Sequence, residues 1–141
     1  MSIMWQARAF QIGAMAAIAF YVIVLVILPE HMHSSAVDSD LTPVISAAAL
    51  ILAVLFIAFG YFVPRWAAGS IMRQRTASQR EGLLLHVQVM RSSLFEVPAM
   101  LGMVLGFLSA GWAIVAPLMV LSATPLILTF PTEAKWRRML G

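Results

Sequence analysis

Apolar residues along the chain fall into four long runs separated by short polar ones. The first run covers about residues 9–28 and ends in Tyr21-Val-Ile-Val-Leu-Val-Ile-Leu28 before Pro29. Its length exceeds the roughly 7–15 residues of a signal-peptide core, and no small-x-small cleavage site follows, so it is expected to be a retained anchor. Residues 29–41 are polar, with Glu30, His31, His33, Asp38 and Asp40 and no Lys or Arg. The second run, about 42–63, starts beside Pro43, where a missing N–H costs little. It is expected to stop at Pro64-Arg65.

A basic stretch comes next. Arg65, Arg73, Arg75, Arg80 and Arg91 are opposed only by Glu81, and Trp66 marks a plausible membrane interface. A short interfacial helix within 65–80 is expected there. The third helix is predicted over about 78–108, with its membrane part over 83–108. At 1.5 Å per residue it outruns a hydrocarbon core of about 30 Å. Its first turns, with His86, Gln88 and Arg91, should therefore protrude or lie at the interface, with Arg91 snorkelling outward. A tight Ser109-Ala-Gly111 turn leads to a fourth run, about 112–130, which Pro117 and Pro125 should bend. The tail after Glu133 is basic and carries Trp136 as an interface anchor.

The pattern predicts an all-α, integral membrane four-helix bundle, with residues 1–141 forming a single transmembrane domain. Arg8, the 65–80 segment and the tail hold the Lys and Arg outside the runs, and the other two connections hold none. The positive-inside rule then puts both termini in the cytoplasm. The expected location is a bacterial cytoplasmic membrane.

Composition strengthens this picture. Of 141 residues, 62% are hydrophobic and 11% charged, with a mean hydropathy of +0.93. So few charges cannot cover a soluble domain of this size. The net charge of +3 does not imply nucleic acid, because the basic residues flank apolar runs and form no groove with stacking aromatics. With no cysteine, disulfides, thiolate metal sites and covalent c-type haem attachment are excluded.

Little catalytic chemistry is visible. Glu96 lies well inside the third apolar run, where an unpaired charge is costly, so it should be protonated, paired or near water. Ser92 and Ser93, one turn earlier, are candidate hydrogen-bond partners, and Pro98 frees the carbonyl of Leu94 beside it. These three residues, Glu96, Ser92 and Ser93, are the candidate proton- or ion-binding group. The alternative is a protonated Glu96 that only fixes packing. His31-Met-His33 reads as a solvated loop rather than a metal site, and no metal ligand set is expected. His86 is a candidate for binding a cofactor, and otherwise no cofactor is implied. With no phosphate loop, hydrolase elbow or zinc-protease helix, an enzyme is not expected.

Helix packing has a clearer signal. Ala99, Gly102, Gly106 and Ala110 form a small-residue stripe containing a GxxxG, which lets another backbone approach closely. The neighbour is a helix of the same chain or one from another subunit.

The segment Leu94-Phe-Glu-Val-Pro-Ala-Met-Leu-Gly-Met-Val-Leu-Gly-Phe-Leu108 resembles the C-terminal helix of rotary ATP synthase c subunits. That resemblance implies an ion-binding role for Glu96, with the Arg-rich turn as the polar loop and the second and third runs as the hairpin. The chain as a whole looks like bacterial four-span membrane proteins of unknown function that carry a similar Glu-x-Pro-Ala-x-x-Gly segment. One difference from c subunits is plain. Their first helix is glycine-striped, whereas the second run here holds only Gly60, which weighs against a ring and against ion-driven rotation.

The expected function is a small multi-pass accessory or structural subunit of a larger bacterial membrane complex, such as an energy-transducing one. Its partners would be other membrane subunits and lipids, with a homo-oligomer also open. A c-like proton-handling protein working through Glu96 is the alternative, and a small transporter or channel a third idea.

Overall fold

The computed structural model of the chain describes residues 2–27, 42–73, 76–108 and 111–140. They form α1 (Ile3–Ile27), α2 (Thr42–Arg73), α3 (Ala77–Phe107), α4 (Trp112–Leu128) and α5 (Glu133–Leu140). The first four pack into one all-α bundle. His31, His33, Ser109, Ala110 and the side chain of Trp136 lie outside the described residues, so the expectations placed on them have no structural counterpart.

α3 is the central helix, packed against α1, α2 and α4, whereas α1 and α2 have at most a marginal contact with each other. Pairs along its length fix the directions. Gln88 meets Gln11, Glu96 meets Tyr21, and Gly106 meets Leu25, so α1 runs parallel to α3. Arg91 meets Thr129, Phe95 meets Ser122, and Gly102 meets Leu118, so α4 runs antiparallel. α2 also runs antiparallel, with Gly60 on Phe95 and Ile71 in a cluster with Leu84 and Val87. Every described Lys and Arg therefore gathers at one end, where α1 and α3 begin and α2 and α4 finish.

The buried positions are spaced by three, four or seven residues: 7, 11, 14, 18 and 25 on α1, and 46, 49, 53, 60, 63, 67 and 71 on α2. This is the seam spacing of helices that cross at shallow angles. The α2 series passes straight through Pro64, which corrects the expected stop at Pro64-Arg65. Pro64 removes one N–H, and the carbonyl it deprives belongs to Gly60. Beyond it, Ala67 and Ile71 are buried against α3, and that packing carries the helix on to Arg73. No separate interfacial helix occupies the described part of 65–80. α3 starts where the Thr76 side chain caps the backbone N–H of Gln79, an N-cap that satisfies an orphan donor. α1 begins six residues before the expected start, and α4 ends two residues before the expected end.

Many small side chains lie inside, around Phe95, Leu118 and Leu126, and many large apolar ones lie outside. Ala7, Ala53, Ala99, Gly60, Gly102, Ser92 and Ser122 are buried, while Phe20, Ile51, Val54, Leu55, Phe59 and Phe62 are exposed. Water-facing surfaces do not carry such continuous apolar faces. Close packing of small residues with large apolar residues outside is how helices associate in lipid. α1, α2 and α3 are each long and apolar enough to cross a membrane, while α4 is apolar but shorter, at 17 residues. These spans point to an integral membrane protein.

Candidate functional site

The polar groups of the bundle converge at its basic end, around the last turn of α4. A helix leaves its final carbonyls without intrahelical donors, and in lipid each unsatisfied one costs several kcal/mol. Here the donors can be traced one by one. The carbonyl of Pro125 accepts from the Thr129 N–H at 2.9 Å and from its hydroxyl at 2.6 Å. Leu126 accepts from the side-chain amide of Gln11 on α1. Ile127 accepts from the N–H of Phe130 at 3.3 Å. Leu128 accepts from Lys135 Nζ on α5 at 2.8 Å, and Thr129 from Arg91 Nη2 on α3 at 3.1 Å. A little further on, Arg8 Nε donates to the carbonyl of Pro131 at 3.0 Å. The cations also oppose the negative end of the α4 dipole.

Gln11 is the hub of this cap. It is fully buried. Its amide nitrogen donates to Leu126 O and, at 3.3 Å, to Thr129 Oγ1, and its oxygen accepts from Gln88 Nε2 at 2.6 Å. Gln88 is itself 5% exposed, which corrects the expectation that it protrudes: it points between α1 and α3. Gln88, Arg91 and Phe95 follow one another at helical spacing, so one face of α3 serves the whole cap. Arg91 lies 6.0 Å from the centre of the Phe95 ring, which packs on Tyr61 at a centroid distance of 5.2 Å.

Glu96 sits higher on α3. It is half-buried, not enclosed, and it accepts a hydrogen bond from the Tyr21 hydroxyl on α1 at 3.0 Å. The two serines expected beside it do not reach it. Ser92 is fully buried with its hydroxyl unpaired among the described residues, and Ser93 is exposed. The facing helix supplies the partner because a phenol spans the gap between helices and a serine one turn away does not. The Ser122 hydroxyl on α4 bonds the carbonyl of Phe95, next along α3 from the Leu94 carbonyl that Pro98 frees.

The small-residue stripe packs against two helices of the same chain. A Cβ on Gly102 would stand 3.2 Å from Leu118 Cβ on α4, and one on Gly106 would stand 2.6 Å from Leu25 Cδ2 on α1. Ala99 is fully buried between them. His86 is exposed beside a shallow depression with Val89, Met90 and Ser93. Among the described residues, no group of three or more His, Cys, Asp or Glu is placed to hold a metal.

Tyr21, Gln88, Ser122 and Thr129 were not singled out by the sequence as interior hydrogen-bonding groups. A polar side chain inside an apolar run is the available signal, and in the sequence it marks Glu96 with Ser92 and Ser93 beside it.

The chain matches no family model, no curated protein and no solved structure. The class defined by fold and site is a multi-helix bundle with candidate membrane spans and a polar cap at one end.

Proposed function

We propose that the chain is a four-span protein of a bacterial cytoplasmic membrane, with both termini in the cytoplasm, acting as a small accessory subunit of a larger membrane complex. α4 is the fourth span. Its 17 residues rise about 26 Å, close to a hydrocarbon core of about 30 Å, and the capped carbonyls extend it into the interface. The basic end is the cytoplasmic one by the positive-inside rule.

The observation that carries this reading is the use of the interior polar groups. Gln11, Gln88, Arg91, Ser122, Thr129 and Tyr21 are all engaged in holding helices to each other or capping carbonyls. Among the described residues, reaction chemistry has no convergent set to draw on. What the molecule presents outward is broad apolar surface on α1 and α2, and that is surface for lipid and neighbouring helices. The c-like alternative draws on Glu96 being open at one side while paired to Tyr21 at the other, a placement compatible with proton exchange.

A photo-crosslinking amino acid at Leu55, on the outer face of α2, tests the reading in native membranes. Adducts to one or a few other membrane proteins at high yield are expected, with none from a probe at buried Ala53. Adducts only to lipid, or only to a second copy of this chain, would overturn it.

A further inference from the structure

Two clefts adjoin at the basic end of the bundle. One, of about 280 Å³, opens between α2 and α3, with Arg65, Ile71, Leu84 and Val87 in its walls. The other, of about 330 Å³, opens between α3, the end of α4 and α5, with Thr129 and Lys135. Gln88, Arg91 and Arg138 line both. Four cations therefore surround this space, and among the described residues no carboxylate lines either cleft.

Part of that positive charge is already spent. Arg91 Nη2 is given to the Thr129 carbonyl and Lys135 to that of Leu128. Arg91 Nε, however, is buried and unpaired among the described residues. A buried donor without an acceptor is costly, and a guanidinium edge with a free N–H suits a phosphate oxygen. Arg65 and Arg138 are exposed and have no acidic partner among the described residues.

We infer that the paired clefts bind the phosphate headgroup of an anionic membrane phospholipid. The basic rim takes the phosphate. From Arg65 and Arg91 the same face of α2 leads toward the middle of the bundle through exposed Tyr61, which packs on Phe95, and the glycerol and upper acyl chains lie along it. A soluble phosphate would satisfy the cations and leave the exposed face of α2 at Tyr61 and Phe62 uncovered, and a zwitterionic lipid would return a positive charge to a site already rich in it. The inference rests on the helices lying in a membrane and does not depend on any partner complex, so a failed search for a partner leaves it standing.

The test uses the full chain purified in an uncharged detergent and melted with added dioleoyl phosphatidylglycerol, dioleoyl phosphatidylcholine or inorganic phosphate. The anionic lipid should raise Tm saturably and the other two should not. Arg65→Gln and Arg138→Gln should each raise the half-saturating lipid concentration about five-fold, the equivalent of ~1 kcal/mol per basic residue near an anionic surface. Arg137→Gln removes the same charge from the same helix outside both clefts, and it should change that concentration far less. Equal stabilisation by phosphatidylcholine or by free phosphate, no stabilisation at all, or an Arg137→Gln effect as large as that of Arg138→Gln would each overturn the assignment.

Discussion

Replacing Gln11 with Leu removes the centre of the α4 cap. Gln11 is fully buried and makes three hydrogen bonds, to Leu126 O, Thr129 Oγ1 and Gln88 Nε2. Side-chain hydrogen bonds between membrane helices average about 0.6 kcal/mol and reach about 1.7. A buried group left without a partner adds roughly 1–3 kcal/mol. Thr129 keeps its bond to Pro125, so the orphans are the Leu126 carbonyl and the Gln88 amide. Gln11→Leu should therefore destabilise the bundle by about 2–4 kcal/mol. Gln88→Leu breaks one of the three bonds and should cost about 1–2 kcal/mol. The double variant is the sharper probe. With both amides gone, neither orphans the other, and the combined cost should fall short of the sum by about 1 kcal/mol. Equilibrium unfolding in mixed detergent, followed by circular dichroism, reads all three. A Gln11→Leu cost below about 0.5 kcal/mol, or strict additivity with Gln88→Leu, would refute the cap as a coupled network.

Four further outcomes follow. Gly60→Ala places a Cβ 2.5 Å from Phe95 Cε1; that ring is fully buried, so thermal unfolding should show a loss of about 1–3 kcal/mol. Gly13→Ala meets nothing within 4 Å and should be neutral or slightly stabilising in the same assay. Glu96→Gln keeps an acceptor for Tyr21 and should leave both the fold and the recovery of partners unchanged, as judged by gel filtration and co-purification. With no native cysteine, single cysteines report topology directly. Those at Ser2, Ser70 and Thr132 should react with impermeant maleimide only from the cytoplasmic side, and one at Ser35 only from outside.

Much of the fold was legible because helix length and apolar spacing are local properties. α3, expected over 78–108, spans Ala77–Phe107, and the apolar runs for α1 and α4 gave one end of each helix within one or two residues. Pro64 does not end α2, because the packing of Ala67 and Ile71 beyond it outweighs the proline's local cost. The spacing of Gly60, Val63, Ala67 and Ile71 carried the correction all along. The polar cap was less legible. Gln88 and Arg91 look interfacial by position along α3, and only the placement of α1 and α4 turns them inward. Glu96 was visible as an oddity, but its partner Tyr21 is 75 residues away, and nothing in either local sequence links them.

The most direct test of the subunit assignment is native purification of the tagged full chain in mild detergent, with mass spectrometry of everything that accompanies it. The expected result is recovery with a defined set of other membrane proteins, about one copy of this chain per assembly. Recovery as a homo-oligomer alone would contradict that assignment and turn attention to proton exchange at Glu96.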